Sequence, residues 1–204
     1  MVDELAAASG SRAAGRVSER MGEAVRAYQR ERYVEAAKEL RIVLEIAPTS
    51  ASAHELYGLC LYRQGRWGQA VKELDAYREL TGSVDQHPVL ADCHRALGHR
   101  RIVAELWDEL KEGSPSAALV AEGRIVMAAT LADDGKLDEA VALLAKSVAR
   151  PVRHPEDHHL RQWYALADLH ERAGDLARAR DLFGRVASHA DEFVDVLDRL
   201  AALR

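Results

Sequence analysis

Three histidines lie in the six-residue stretch 154–159, which has the residue types best suited to holding a metal ion. They are His154, His158 and His159, with Glu156 and Asp157 between them. Imidazole and carboxylate groups are common ligands of zinc and nickel. However, Pro155 interrupts the spacing, and an acidic residue at a helix start is often an N-cap, which is our interpretation of Asp157. We therefore predict no metal site and no cofactor.

The two cysteines, Cys60 and Cys93, are the next candidates for chemistry. They take equivalent places in successive helical stretches. Packed helices have axes about 8–10 Å apart, whereas a disulfide needs Cα atoms within about 7 Å, so we expect two buried thiols. His94 follows Cys93 directly, but sequence neighbours on a helix point in different directions, which argues against a nucleophile–base pair.

Motifs for other reactions are absent from the sequence. It has no P-loop, no dinucleotide-binding glycine motif and no G-x-S-x-G nucleophile motif. Asp133 and Asp134 precede a glycine, but the alternating ligands and the terminal glutamate of a calcium loop are missing. We predict that the protein is not an enzyme and has no catalytic residues.

The stretch Ala51–Thr81 contains two helical patterns on either side of a glycine. Apolar residues recur at helical spacing in both halves, and charged residues occupy the other side of the second. Gly65 lies between them, where a helix would end in a left-handed residue. Gly58 and Ala70 have no bulk beyond Cβ and would let the two helices approach closely. We therefore predict a packed helix pair.

This stretch resembles the tetratricopeptide repeat (TPR), a 34-residue helix–turn–helix unit. The matching residues are Tyr57, Gly58, Leu61, Gly65, Trp67, Ala70 and Leu74. His54 stands where tryptophan is usual, and Gly82 where proline is usual. Turn glycines recur along the chain at 65, 98, 135 and 174, which indicates that the unit is repeated.

The resemblance implies an all-α fold, a right-handed α-solenoid of about five TPR-like helix pairs with a C-terminal capping helix. The predicted repeats cover 17–50, 51–83, 84–117, 121–154 and 160–193. We expect residues 1–16 to form a flexible tail, because they show little periodicity. An amphipathic helix over 191–204 is predicted to cap the last repeat.

In TPR proteins the first helix of each pair lines a concave groove, and the resemblance therefore implies which side chains face a ligand. They are Tyr28, Gln29, Glu55, Tyr62, Arg63, Asp92, Arg95, Glu122, Tyr164, Asp168, Glu171 and Arg172. Aromatic rings supply contact area, and guanidinium groups hold carboxylates or carbonyls. An extended or helical peptide would suit such a groove. The Lys-Asn-Asn-Lys clamp with which some TPR proteins grip chaperone tails is not possible, because the sequence contains no asparagine.

Composition and charge restrict the partners. The net charge is −5, and neither half of the chain has a basic footprint for nucleic acid. No apolar run approaches the length of a membrane span, and the N-terminus lacks the pattern of a signal peptide. These features predict a cytoplasmic protein that binds neither nucleic acid nor membrane.

Two functions remain open. The first is a non-catalytic scaffold that binds a peptide segment or partner helix in the concave groove. The alternative is an assembly subunit that docks through its edge or capping helix, on a larger complex or on itself. Exposure of Phe193, Val196 and Leu200 would favour the alternative.

Overall fold

The computed structural model describes residues 14–113, 116–149 and 152–203, and helices are the only regular secondary structure in these ranges. The all-α prediction is confirmed. The helices are α1 (Ala14–Gln29), α2 (Tyr33–Ile46), α3 (Ala51–Arg63), α4 (Trp67–Thr81), α5 (His87–Ala96), α6 (Arg100–Gly113), α7 (Ala117–Asp133), α8 (Leu137–Val148), α9 (Asp157–Arg172), α10 (Leu176–Ala187) and α11 (Val196–Ala202).

The chain forms two compact units that divide after Ile102. In unit 1, α1 packs on α2 and α3 packs on α4, and α2 contacts α3 while α4 contacts α5. In unit 2, α7 packs on α8 and α9 packs on α10, with α8 against α9 and α11 against α10. Within each unit a helix thus buries its apolar side against the other helix of its pair and against the neighbouring pair. Helices of this length need such packing because they are only marginally stable alone in water.

The turns inside the pairs depend on left-handed backbone. Gly65, Gly98, Gly135 and Gly174 have φ angles of 70°, 78°, 77° and 80°, so the predicted turn glycines are confirmed. Glu31 takes the same role in the first pair, with a φ of 59°. No glycine marks this turn in the sequence, so its left-handed residue was not predicted.

Glycines inside helices mark the closest helix contacts. A Cβ atom added to Gly58 on α3 would lie 2.7 Å from Cγ and Cδ2 of Leu74 on α4. A Cβ atom on Gly123 of α7 would overlap Leu110 and lie 3.2 Å from the Trp107 ring of α6. The close approach predicted at Gly58 is therefore present.

Each unit has its own buried apolar core. In unit 1 it includes Val17, Met21, Leu40 and Val43, with exposed fractions of 2% or less. In unit 2 it centres on Trp163 and Phe183, to which α7, α8 and the C-terminal residues add side chains. No helix in the described part of the chain is long and apolar enough to cross a membrane.

The two ends differ from the predictions. Helix α1 begins at Ala14, inside the segment 1–16 predicted as a flexible tail, and residues 1–13 lie outside the described ranges. The capping helix predicted over 191–204 is wrong in extent, because α11 begins only at Val196. The break lies at Val194, whose φ of 52° does not fit a right-handed helix.

Candidate functional site

Seven of the predicted groove residues lie in unit 1, and three of them, Tyr62, Asp92 and Arg95, are joined by hydrogen bonds. The Tyr62 hydroxyl of α3 donates a 2.8 Å hydrogen bond to Asp92 of α5, and Arg95 Nε donates to the same carboxylate at 2.8 Å. Gln86 Nε2 donates to Glu55 at 2.8 Å. Burial raises the pKa of Tyr62, and the Asp92 carboxylate raises it further, so the phenol stays a donor. The bonds of Tyr62 and Gln86 join α3 to α5 and to its N-cap residue, whereas the bond of Arg95 lies within α5.

The two tyrosines predicted at the same repeat position, Tyr28 and Tyr62, have equivalent ring partners. Tyr28 packs edge-on against Tyr33 and Tyr62 against Trp67, each pair with ring centroids 5.4 Å apart. The Arg63 guanidinium lies 5.7 Å from the Tyr33 ring centroid. Both tyrosines are half-buried, so much of the ring area expected to face a ligand serves the packing of the pair.

Unit 2 holds the other five predicted residues, and two of them are bound by Arg199 of α11. Its Nη2 donates to Asp168 at 2.8 Å and to Glu171 at 2.7 Å, and its Nε donates to Glu171 at 3.1 Å. The guanidinium also lies 4.9 Å from the Phe183 ring centroid. Burial alone would lower the pKa of Arg199, but the two carboxylates outweigh burial and raise it.

The side chain of Tyr164 also contacts the C-terminal part of the chain. Its hydroxyl donates to Asp195, and its ring packs 6.0 Å from that of Phe193. Burial and the bond to Asp195 raise the pKa of Tyr164 to about 12. Tyr164, Asp168 and Glu171 were predicted to face a ligand, and the protein itself engages all three. The bonded residues lie 28 or 31 positions apart in the sequence, which is close to the length of one repeat.

A cavity of about 530 Å³ remains open between α7 and α9. It is lined by Glu122, Ile125, Asp157, Arg161, Tyr164, Ala165, Glu192, Phe193 and Val194. A second cavity of about 230 Å³ shares Ile125, Tyr164 and Ala165 with it and is completed by Ala128, Ala129, Leu144, Asp168, Leu169 and Arg172. We name the two together the α7–α9 cavity.

The rim of the α7–α9 cavity is predominantly acidic. Four carboxylates, those of Glu122, Asp157, Asp168 and Glu192, line it against two cations, Arg161 and Arg172, and Arg161 Nη1 lies 3.2 Å from Glu122. Burial raises the pKa of Glu122, although Arg161 opposes the shift. The floor is formed by Ile125 and by small alanine side chains. The cavity thus offers an apolar recess beside carboxylates.

A sequence model of the tetratricopeptide repeat family matches residues 21–84 and 125–193, well over half of the chain. The chain belongs to this family. The repeated pairing of helices and the left-handed turn residues agree with that assignment, and the predicted resemblance is confirmed. A search of curated proteins gave no match.

Solved structures show the same fold for this TPR protein. TTC0263, a thermophilic TPR protein of Thermus thermophilus, is 18% identical with a TM-score of 0.70, over 92% of this chain and 98% of that one. A putative kinesin light chain of Podosopora anserina with nearly identical TPR-like repeats is 19% identical with a TM-score of 0.66, over 85% and 94%. YrrB, described as a TPR protein with an unusual peptide-binding site, is 15% identical with a TM-score of 0.52, over 88% and 89%.

The histidine cluster of this TPR protein is part of a helix start. The backbone N–H of Glu156 donates to His159 Nδ1 at 3.1 Å, and the rings of His158 and His159 have centroids 3.9 Å apart with their planes tilted by 36°. The N-cap of α9 is Glu156, not Asp157 as interpreted from the sequence. Within the described ranges, no three His, Cys, Asp or Glu side chains are placed to hold a metal ion together.

Both cysteines are free and buried, as predicted. Burial raises the pKa of each thiol to about 12. Since the thiolate is the reactive form, Cys60 and Cys93 are poor nucleophiles in the folded protein.

Proposed function

We propose that this TPR protein is a non-catalytic interaction scaffold that binds a peptide segment of a partner protein in the α7–α9 cavity. The observation that supports this most directly is the pair of adjoining cavities, about 530 and 230 Å³, on the first helices of consecutive pairs. A recess with an apolar floor and a few polar groups at its edge is the usual form of a ligand site. The peptide-binding site named for YrrB is consistent with this function for the fold.

The cavity walls favour a particular kind of peptide. Ile125 and Ala165 form an apolar surface for one anchoring side chain, and Tyr164 provides a ring beside it. Glu122 and Glu192 on the rim favour a lysine or arginine next to that anchor. In unit 1, Gln29 and Arg63 are exposed, and we retain them with Tyr28 as candidate contacts for a ligand.

A peptide selection followed by calorimetry tests the proposal. Peptides selected from a random display library on the full-length protein would be titrated into the wild type and into Ala165→Gln, whose longer side chain fills the recess. The matched control is Ala142→Gln, because Ala142 is exposed on α8 and lines neither of the two cavities. We expect at least tenfold weaker binding, about 1.4 kcal/mol or more, only for Ala165→Gln. Equal affinity for all three proteins, or a selection that yields no binding peptide, would refute the proposal.

The alternative, assembly through the capping helix, has a different surface from the one predicted. Val196 is buried and Phe193 and Leu200 are half-buried, so these three side chains pack into unit 2. Val194 and Leu197 are exposed instead, by 72% and 55%. An apolar contact through this end of unit 2 would therefore use Val194 and Leu197.

A further inference from the structure

A second groove runs along α2 in unit 1, away from the residues predicted to bind a ligand. Its first part, of about 470 Å³, is lined by Val34, Ala37, Lys38, Glu39, Arg41, Ile42, Tyr57, Gln64 and Arg66. Its second part, of about 360 Å³, shares Arg41 and Tyr57 and adds Leu44, Glu45, His54, Lys72, Glu73 and Ala76. We name the two cavities together the α2 groove. Val34 stands at one end with 57% of its surface exposed.

The charges along the α2 groove are unbalanced. Two of its three carboxylates have close partners: Glu39 bonds to Arg20 at 2.5 Å, and Glu73 bonds to His54 at 2.7 Å. Glu45 Oε1 lies 4.0 Å from Arg41 Nε, and this exposed ion pair contributes little to stability. In contrast, Lys38, Arg66 and Lys72 form no ion pair with any residue the structure describes. The groove therefore combines apolar side chains with three cations that form no ion pair within the described residues, and it would attract an acidic segment with apolar anchors.

Such a segment exists in unit 2 of the same chain. Residues 191–198, which we name the C-terminal segment, read DEFVDVLD and carry four carboxylates. Asp191, Glu192 and Asp198 are exposed and form no ion pair within the described part of the chain. Val194 and Leu197 are the two most exposed large apolar side chains of unit 2. Phe193 and Val196 hold the segment to unit 2 from the other side.

We propose that the C-terminal segment of one molecule docks in the α2 groove of a second copy of this chain. Val194 and Leu197 lie on the apolar floor beside Val34 and Ile42 of the second molecule, and the three carboxylates meet Lys38, Arg66 and Lys72. The contact joins different surfaces on the two copies, so it is heterologous and can add further copies. It uses another groove than the proposed peptide site, although Glu192 and Val194 of the C-terminal segment also line the α7–α9 cavity.

The contact area sets the expected strength. A segment of eight residues buries less than the roughly 1,200 Å² of a stable specific interface, so we expect association in the micromolar range or weaker. Since the attraction is between exposed charges, it weakens as the Debye length falls from about 10 Å at 0.1 M salt to about 3 Å at 1 M.

Sedimentation equilibrium of the full chain tests the proposal. We expect the wild type to associate between about 10 and 500 μM at low ionic strength, with at least tenfold weaker association near 1 M salt. Val34→Glu places a carboxylate in the α2 groove that repels the acidic segment, and Leu197→Arg removes an apolar anchor of the C-terminal segment, so each variant alone should be a monomer. Leu97→Arg is the matched control, because Leu97 is exposed and belongs to neither surface. Circular dichroism melting verifies that each variant is folded.

Mixing the two blocked variants gives the sharpest result. Val34→Glu retains its C-terminal segment and Leu197→Arg retains its groove, so an equimolar mixture should form a dimer that does not grow further. A wild type that stays monomeric over the whole range, a blocked variant that still associates, or a mixture that stays monomeric would each overturn the proposal. Ala165→Gln should associate as the wild type does, which separates this test from that of the peptide site.

Discussion

The hydroxyl of Tyr164 donates a hydrogen bond to Asp195, which lies 31 residues later in the chain. Gln86 donates to Glu55 across the same interval of 31 residues. The bond between Gln86 and Glu55 joins α3, the first helix of one pair in unit 1, to the start of α5, the first helix of the next pair. The bond between Tyr164 and Asp195 joins α9 to the start of α11 in the same way. Helix α11 thus takes the place of the first helix of a further pair and covers the apolar side of α10.

Arg199 should be the most important side chain of this cap. It is 24% exposed and binds both Asp168 and Glu171, so Arg199→Ala leaves two carboxylates of α9 without a counter-charge. We expect the free energy of unfolding to fall by about 1–3 kcal/mol, measured by urea titration. Arg178→Ala is the control, because its ion pair with Asp175 leaves the arginine 72% exposed and should change stability by about 0.5 kcal/mol or less. Equal effects of the two substitutions would show that the Arg199 contacts do not stabilise the cap.

Gly58 should not tolerate even one additional methyl group. Gly58→Ala improves helix propensity by about 1 kcal/mol, but its Cβ would lie 2.7 Å from two carbon atoms of Leu74 and 3.3 Å from the Leu74 backbone nitrogen. The steric clash should outweigh the gain in helix propensity and lower the free energy of unfolding by about 1–3 kcal/mol. Gly68→Ala on α4, where the new Cβ meets nothing within 4 Å, should instead be neutral or stabilising. A thermal melt of both variants compares them, and a stabilising Gly58→Ala would mean that α3 and α4 separate easily.

His54 should stabilise unit 1 more at acidic than at alkaline pH. Its Nδ1 bonds to Glu73 at 2.7 Å and its Nε2 to the Pro48 carbonyl at 3.0 Å, so the doubly protonated ring can donate to both. The bond to Glu73 raises the pKa of His54 despite burial and nearby Lys72. A raised folded-state pKa gives stability that is fully present below the unfolded value of 6.5 and is lost as pH rises through the folded value.

His54→Gln should therefore lower the free energy of unfolding more near about pH 5.5 than near about pH 9, measured by urea titration at each pH. His94→Gln should show the opposite trend, because burial lowers the pKa of His94 and protonation opposes folding. A pH-independent effect of His54→Gln would contradict the role of the charged imidazole.

The two thiols should be unreactive in the folded protein. With the pKa of Cys60 and Cys93 raised to about 12, the thiolate fraction at about pH 8 is on the order of one in ten thousand. A colorimetric disulfide reagent should label neither residue in buffer and both in denaturant. Rapid labelling without denaturant would indicate that the helices carrying them open readily.

Local sequence signals predicted the helix pairs. The bonds between the C-terminal residues and the predicted groove residues could not be predicted in this way. The turn glycine Gly65 and the spacing of the apolar residues around Leu74 act within a few residues, so the sequence displays them directly. The bond from Arg199 to Asp168 spans 31 residues and depends on the path of the chain after α10. That path turns at Val194, where packing of Phe193 against Tyr164 accompanies a left-handed residue. A helical pattern over 191–204 carries no trace of such a turn.

The left-handed turn at Glu31 also could not be predicted from the sequence, and it suggests a stabilising substitution. It lies in the first turn at a φ of 59°, where four later turns have glycine, and a side chain in left-handed backbone costs about 1–2 kcal/mol. Glu31 is exposed, so its removal should sacrifice little contact. Glu31→Gly also makes the unfolded chain more flexible, which offsets about 0.4–1 kcal/mol of the gain. We expect a net increase of about 0.5–1 kcal/mol in the free energy of unfolding, measured by urea titration. Gly98→Ala should have the opposite sign, and a destabilising Glu31→Gly would mean that the Glu31 side chain holds the first turn in place.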